Sequence, residues 1–309
     1  MSTEMNMESS RHAMAVGYAG RPVTKAPNWH GLVTLDILFN NLSTGLFLVA
    51  TIGELVAPGS FRTLAGAAYP IALLFLVADL VCLVLDLGDP LRFHHMLRVW
   101  KPSSPMSLGT WCLTAYAVPL TVLTVMGLLP DGGAGIEWLR RILLVVGLVP
   151  ALGAAVYKGV LFSTTAQPGW SRARWLGGYF TNSALLLGAV ELLLLATVMG
   201  QPKAAAVLRL ASMLLLVLNL VALGLLLADL RGPLSQARGA RGVTVIGAVV
   251  VLAGILVPLA LLALGAPIGV VGAALLIMLG AVVIRSEIVR LPHLLTGGRS
   301  VTLNEVKGA

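Results

Sequence analysis

Apolar residues in this chain do not alternate with polar ones; they run in long blocks with few charges. Eight blocks follow one another at 32–56, 64–87, 106–129, 138–162, 176–198, 204–227, 243–264 and 268–284. Each is long enough to cross a bilayer as a helix, which takes about 17–25 residues at 1.5 Å rise. Between them stand residues that end helices: Pro58-Gly59, Pro90, Pro102 and Pro105, Pro130 to Gly133, Pro168-Gly169, Gly200 and Pro202, Gly232-Pro233, and Gly265 to Pro267. Barrel strands would be about 10 residues long and would alternate in polarity. Backbone groups in lipid must pair within the segment, so blocks of this length predict helices. The expectation is an all-α integral membrane protein with eight transmembrane helices. A polar N-terminal tail over 1–30 precedes the membrane domain at 31–290, and a polar C-terminal tail follows over 291–309. The first tail lacks the apolar core and cleavage site of a signal peptide and reads as a segment lying against the membrane or a partner.

Composition strengthens this picture. Of 309 residues, 58% are hydrophobic and 11% charged, with a mean hydropathy of +0.93. A soluble domain is roughly 45–50% apolar and about 25% charged, so there is too little charge to cover a water-facing surface. Charge also orients the chain. Eight spans put both termini on one side, and of the 21 Lys and Arg residues only Arg62, Arg140, Arg141, Lys203 and Arg209 fall on the other. The positive-inside rule then places the termini in the cytoplasm, as a multi-pass protein of the cytoplasmic (inner) membrane. The basic side reads as topology, as a docking face for an acidic or iron–sulfur partner, or as both. A net charge of +8 suits contact with anionic lipid. Without a basic patch interleaved with aromatics, nucleic acid is excluded as a partner.

Ionisable residues inside a membrane are costly and mark function by default. In the first block Asp36, Asn40 and Thr44 recur every four residues, with Asn41 beside them, which stacks polar groups on one helix face. Interhelical hydrogen bonding and ligand binding both fit such a stripe. Asp79 and Asp86 lie two turns apart in the second block, Asp86 reading equally as a helix-end cap. Tyr157 and Lys158 close the fourth block at the level of Asp36, and Lys158, about 100° further round the helix, need not face the same pocket. Glu191 lies mid-block in the fifth span and Asn219 in the sixth. Cys82 and Cys112 both fall in predicted helices, giving neither a disulfide framework nor a cluster site. His94 and His95 are adjacent, and His30 and His293 lie at span margins, so no pair of histidines sits at depth for a haem. Phosphate-loop, zinc-protease and nucleophile-elbow motifs are missing, and nothing points to autonomous catalysis. A secondary transporter would share the eight helices and buried carboxylates, but would favour inverted repeats, and none is clear here.

Four stretches together look familiar. They are Asp36-Ile-Leu-Phe-Asn-Asn-Leu-Ser-Thr-Gly45; Asp86-Leu-Gly-Asp-Pro-Leu-Arg92-Phe followed by Lys101-Pro-Ser-Ser-Pro-Met-Ser-Leu-Gly109; Tyr157-Lys-Gly-Val-Leu-Phe-Ser163; and Arg285 at the end of the last block. In this order they resemble the NrfD/PsrC family, the quinone-handling membrane subunits of bacterial polysulfide, nitrite and related molybdenum-enzyme complexes. The resemblance implies two four-helix bundles and a bound quinone, menaquinone or ubiquinone, near the face where an iron–sulfur (ferredoxin-like) subunit docks. A molybdopterin or multihaem catalytic subunit would complete the complex, with no haem or iron–sulfur cluster in this chain. The implied quinone-binding set is Asp36, Asn40, Asn41, Asp86, His94 and Tyr157, with Asp79, Glu191 and Arg285 as a proton path. Lys158 departs from the family's small polar residue after the tyrosine. In well-known members the docking face lies outside the cytoplasm, whereas the basic residues here argue for the cytoplasmic side, and the sequence leaves the side open.

Overall fold

The computed structural model describes residue 29 and residues 31–98, 100–129 and 133–307, with the side chains of 133, 134 and 297–307 excepted. The expected N-terminal tail, His30 included, lies outside the described residues apart from Trp29. Every described element is helical, and the long ones are α1 Gly31–Val56, α2 Pro58–Leu85, α3 Pro105–Leu128, α4 Gly133–Ser163, α5 Leu176–Val198, α6 Pro202–Val251, α7 Val257–Leu264 and α8 Pro267–Lys307. Short 3-10 turns cover Pro90–Leu97 and Trp170–Arg172, and a π turn over Leu252–Leu256 joins α6 to α7. Proline opens α2, α3, α6 and α8, where its missing N–H and fixed φ suit the first turn. Pro70, Pro119 and Pro150 sit inside α2, α3 and α4, which membrane helices tolerate because neighbours re-satisfy the freed carbonyls.

Two boundaries differ from the sequence reading. The second helix begins at Pro58, only Ala57 separating it from α1. The break expected at Gly232-Pro233 falls later: the chain stays helical through Pro233, and Gly239 takes φ 73° and ψ 158°. Only a residue without Cβ adopts that backbone cheaply, so the turn moves to the glycine. Among the described residues seven stretches are long and apolar enough to cross a membrane, and one of them, Pro202–Leu264, has 63 residues. Straight, it would measure about 95 Å. Leu223 and Val250 would then stand roughly 40 Å apart, yet they line one apolar cleft. The chain therefore doubles back at Gly239. Arg238 beside the turn is held by Glu287 of α8 through a two-pronged ion pair, Nη2–Oε1 2.7 Å and Nε–Oε2 3.1 Å. Reporters fused at Gly200 and Gly265 are expected in one compartment and a reporter at Gly239 in the opposite one; all three on the same side would remove the reversal.

α1 is the axis of the molecule. Seventeen of its 26 residues are buried, eight of them polar: Thr34, Asp36, Asn40, Asn41, Ser43, Thr44, Thr51 and Glu54. It crosses α5 where Gly45 meets Gly188 so closely that a Cβ on either would overlap backbone atoms of the other helix. Small residues at such crossings let membrane helices approach, since lipid supplies no hydrophobic drive between them. The outer surface is apolar: Leu74, Val149, Leu214, Leu279 and many like them stand exposed. A surface of that kind suits acyl chains rather than water. The protein is a multi-pass, all-α membrane protein.

Candidate functional site

The stripe on α1 meets α2 and α4 at one end of the molecule. Lys158 reaches across from α4, its Nζ 2.6 Å from Asp79 Oδ1, 2.9 Å from Asp36 Oδ1 and 3.0 Å from the Asp36 carbonyl oxygen. Asn40 donates from Nδ2 to Asp79 Oδ2 at 3.2 Å. Asp79 is fully buried, and Asp36 and Lys158 nearly so. One ammonium thus faces two carboxyl groups. Uncompensated charge in a low-dielectric interior is expensive, so the set is balanced when the two carboxyls share one proton between them.

Beside this triad lies a cavity of about 280 Å³ lined by Trp29, Asp36, Asp86, Met96, Met106, Tyr157 and Lys158, among others, with apolar residues of α1, α2 and α4 filling the wall. A cavity of roughly 150 Å³ is enough to hold a benzene ring. A few polar groups in an otherwise apolar wall is the usual form of a small-molecule site. Aromatic packing stiffens one side: Trp29 stacks on Trp170 at 5.4 Å and meets Phe162 edge-on at 5.5 Å, while Trp170 Nε1 donates to the Ile288 carbonyl at 2.6 Å. Tyr157 is held from the other side by Gly109 of α3, where any Cβ would overlap its ring. The glycine that closes the Lys101–Gly109 stretch is therefore a seat for the tyrosine.

Of the residues singled out in the sequence, Asp36, Asp86 and Tyr157 line this cavity. Asn40 lies behind them on Asp79. Asn41 turns away and accepts from Arg285 Nη2 at 2.5 Å; Arg285, fully buried on α8, also donates to Ser183 Oγ at 3.1 Å and to the Ala281 carbonyl at 3.0 Å. Glu191 stands apart on α5, both carboxyl oxygens buried without a partner. His94 is exposed on the 3-10 turn, its ring tilted against that of His95 at 4.3 Å, and is not among the residues lining the cavity. The residue that sequence reasoning set aside is Lys158, which both lines the cavity and joins the two aspartates. Its family-unusual identity was the available signal. Among the described residues no group of three His, Cys, Asp or Glu side chains is placed to hold a metal.

A second buried charge cluster occupies the far end of α1 and was not singled out from the sequence. Arg140 of α4 grips Glu54 with Nε–Oε1 at 2.5 Å and Nη2–Oε2 at 3.0 Å, and Tyr69 donates to Glu54 Oε2 at 2.8 Å. All three are buried. Exposed pairs continue outward, Glu137 being shared by Arg62 and Arg141.

A family model described as polysulfide reductase matches residues 15–294. The C subunit of polysulfide reductase from Wolinella succinogenes is 32% identical over 153 residues, which are 44% of the present sequence. The match spans 47% of that relative's length.

Proposed function

This chain belongs to the NrfD/polysulfide reductase family, and on that premise we propose that it is the quinone-binding membrane subunit of a multi-subunit respiratory oxidoreductase in the cytoplasmic membrane. It exchanges electrons between the quinone pool and an iron–sulfur partner subunit. The observation that carries this reading is one cavity where Asp36, Asp86, Tyr157 and Lys158 meet at the edge of the lipid-facing bundle. A quinol supplies two electrons and two protons when it is oxidised. The protein's own part is to bind, orient and handle protons. The Tyr157 hydroxyl is a donor suited to a ring oxygen, and Asp36, the carboxyl of the triad that lines the cavity, is the acceptor within reach of that ring. Trp29 and Phe162 offer an aromatic wall, and the thioether side chains Met96 and Met106 adapt to ring substituents. On this reading electrons leave through the partner subunit. Arg92, His94, His95, Arg98 and Lys101, exposed on the segment that borders the cavity, suit the docking of an acidic surface there. On this reading the eight crossings form two four-helix bundles with both termini in the cytoplasm.

The test is direct. A short-chain quinone analogue titrated into the purified protein should quench tryptophan fluorescence, since Trp29 lines the cavity. Tyr157→Phe keeps the ring and removes one hydrogen bond, so affinity should fall by about 0.5–1.5 kcal/mol, roughly two- to tenfold. Turnover of the assembled complex should fall further if the bond tightens as charge develops on the oxygen. Unchanged affinity in both Tyr157→Phe and Asp36→Asn would put the quinone elsewhere.

A further inference from the structure

A second cavity, of about 360 Å³, lies where the α5–α6 and α7–α8 turns meet, and Thr197, Gln201, Arg209 and Gly265 line it together with Leu193 and Val270. The 23 residues of α5, about 35 Å of helix, separate it from the first. Trp170, packed on Trp29 of the first cavity, precedes α5, while Thr197 and Gly200 close it.

This cavity holds positive charge that no acid balances. On the same face Arg62 and Arg141 share Glu137, and Arg140 pairs with Glu54. Arg209 differs: among the described residues neither it nor Gln201 makes a side-chain hydrogen bond or ion pair. An arginine near a helix end commonly snorkels to water along the outside of a bundle. Arg209 is instead partly buried and lies across the α7–α8 turn, its Nη1 in the space that a Cβ on Gly265 would need. Gly265 takes φ 72°, a backbone that a residue with Cβ adopts only at a cost, so the turn leaves room for the guanidinium. Helices α6 and α8 both start here, Pro202 and Pro267 being part of the lining. Their first N–H groups and positive dipole ends add to the field that the guanidinium sets up.

The charge sits at the edge of lipid. Next in sequence to lining residues, Val198, Leu264 and Ile268 stand 85%, 79% and 84% exposed on the apolar outer surface. An anion with an apolar continuation fits both parts. We propose that this cavity binds a membrane phospholipid, its phosphodiester gripped by Arg209 with Gln201 alongside and its acyl chains lying over Val198 and Ile268. The guanidinium presents a planar fork of N–H donors that matches two phosphate oxygens. A lipid held there ties the α5–α6 turn to the α7–α8 turn. The site is independent of the ring-binding reading, because the two cavities share no lining residue.

Full-length protein stripped of lipid in detergent, titrated with dihexanoyl phosphatidylglycerol, tests this by native mass spectrometry and thermal unfolding. Wild type should take up one saturable lipid and melt at a higher temperature with it. Arg209→Gln should weaken that binding roughly tenfold or more, the usual effect of losing a hydrogen bond to a charged group. Without lipid it should melt as wild type does, since Arg209 has no protein partner to lose. Arg209→Lys keeps the charge but not the fork, and should bind more weakly than wild type and more tightly than Arg209→Gln. It carries the comparison if Arg209→Gln accumulates poorly. Lys203→Gln removes an exposed cation of the same turn that is outside the lining, and should change nothing. Inorganic phosphate in large excess should neither raise the melting temperature nor displace the lipid. Three results would overturn the site: equal lipid affinity in wild type and both Arg209 variants, equal losses in Lys203→Gln and Arg209→Gln, as general surface charge would give, or Arg209-dependent binding of phosphate that the lipid cannot displace, which would make it a free-anion site. Quinone titration is a separate readout, so failure here and failure of the ring-binding assay are told apart.

Discussion

Replacing Lys158 by methionine should destabilise the protein by about 3–5 kcal/mol, the usual cost of removing one partner from a buried ion cluster. The side chain volume is nearly kept, so the loss is electrostatic. Asp36 and Asp79 would face each other with no cation, and Asn40 alone could satisfy only one oxygen. Thermal unfolding in lipid nanodiscs, followed by tryptophan fluorescence, measures the effect. The triple change Lys158→Met, Asp36→Asn and Asp79→Asn removes the charges as a set and should recover most of the stability, since a buried cluster replaced as a unit often costs little. Quinone binding should not recover with it. A single Lys158→Met variant as stable as wild type would mean that the three side chains do not form one electrostatic unit.

The second large effect is steric. Gly188→Ala should cost about 3 kcal/mol or more, beyond the ordinary 1–3 kcal/mol of overpacking, because the new methyl would meet the backbone of Gly45 and Leu46 and no rotamer could relieve it. α1 and α5 would have to separate. As α1 carries both charge clusters, the site would shift with it. Accumulation in membranes and monodispersity in mild detergent should both drop. Gly178→Ala, ten residues earlier on the same helix and almost without neighbours, should behave as wild type. Normal accumulation and melting of the Gly188 variant would show that the crossing has slack.

These two sites also show how far the sequence could be read. Long apolar blocks determine helices because lipid leaves the backbone no other way to pair, so the helical class and most boundaries were legible. Gly239 was not, because Gly232-Pro233 looked the stronger break; which glycine turns depends on where α8 offers Glu287 to Arg238. Spacing on α1 correctly marked a polar face, but spacing gives faces and not partners. Asn40 and Asn41 are neighbours in sequence, and they serve Asp79 and Arg285 respectively. Glu54 and Arg140 are 86 positions apart; Arg140 entered the sequence reading only as a topology signal, and Glu54 did not enter it. Lys158 was set aside by helix angle, although its four-carbon stem reaches round to the aspartates from a ring position that alone would not.

Arg285 has a consequence of its own. Its guanidinium is held between α1, α5 and α8 by Asn41, Ser183 and the Ala281 carbonyl, with the Phe180 ring 5.4 Å away, and none of these partners carries a negative charge. A fixed cation of this kind is an electrostatic barrier, the device by which some membrane pores exclude protons and metal ions. It meets α1 at Asn41, next to the Asn40 that serves Asp79. A membrane potential acting across the protein therefore acts on a buried positive charge that no carboxylate among these partners offsets.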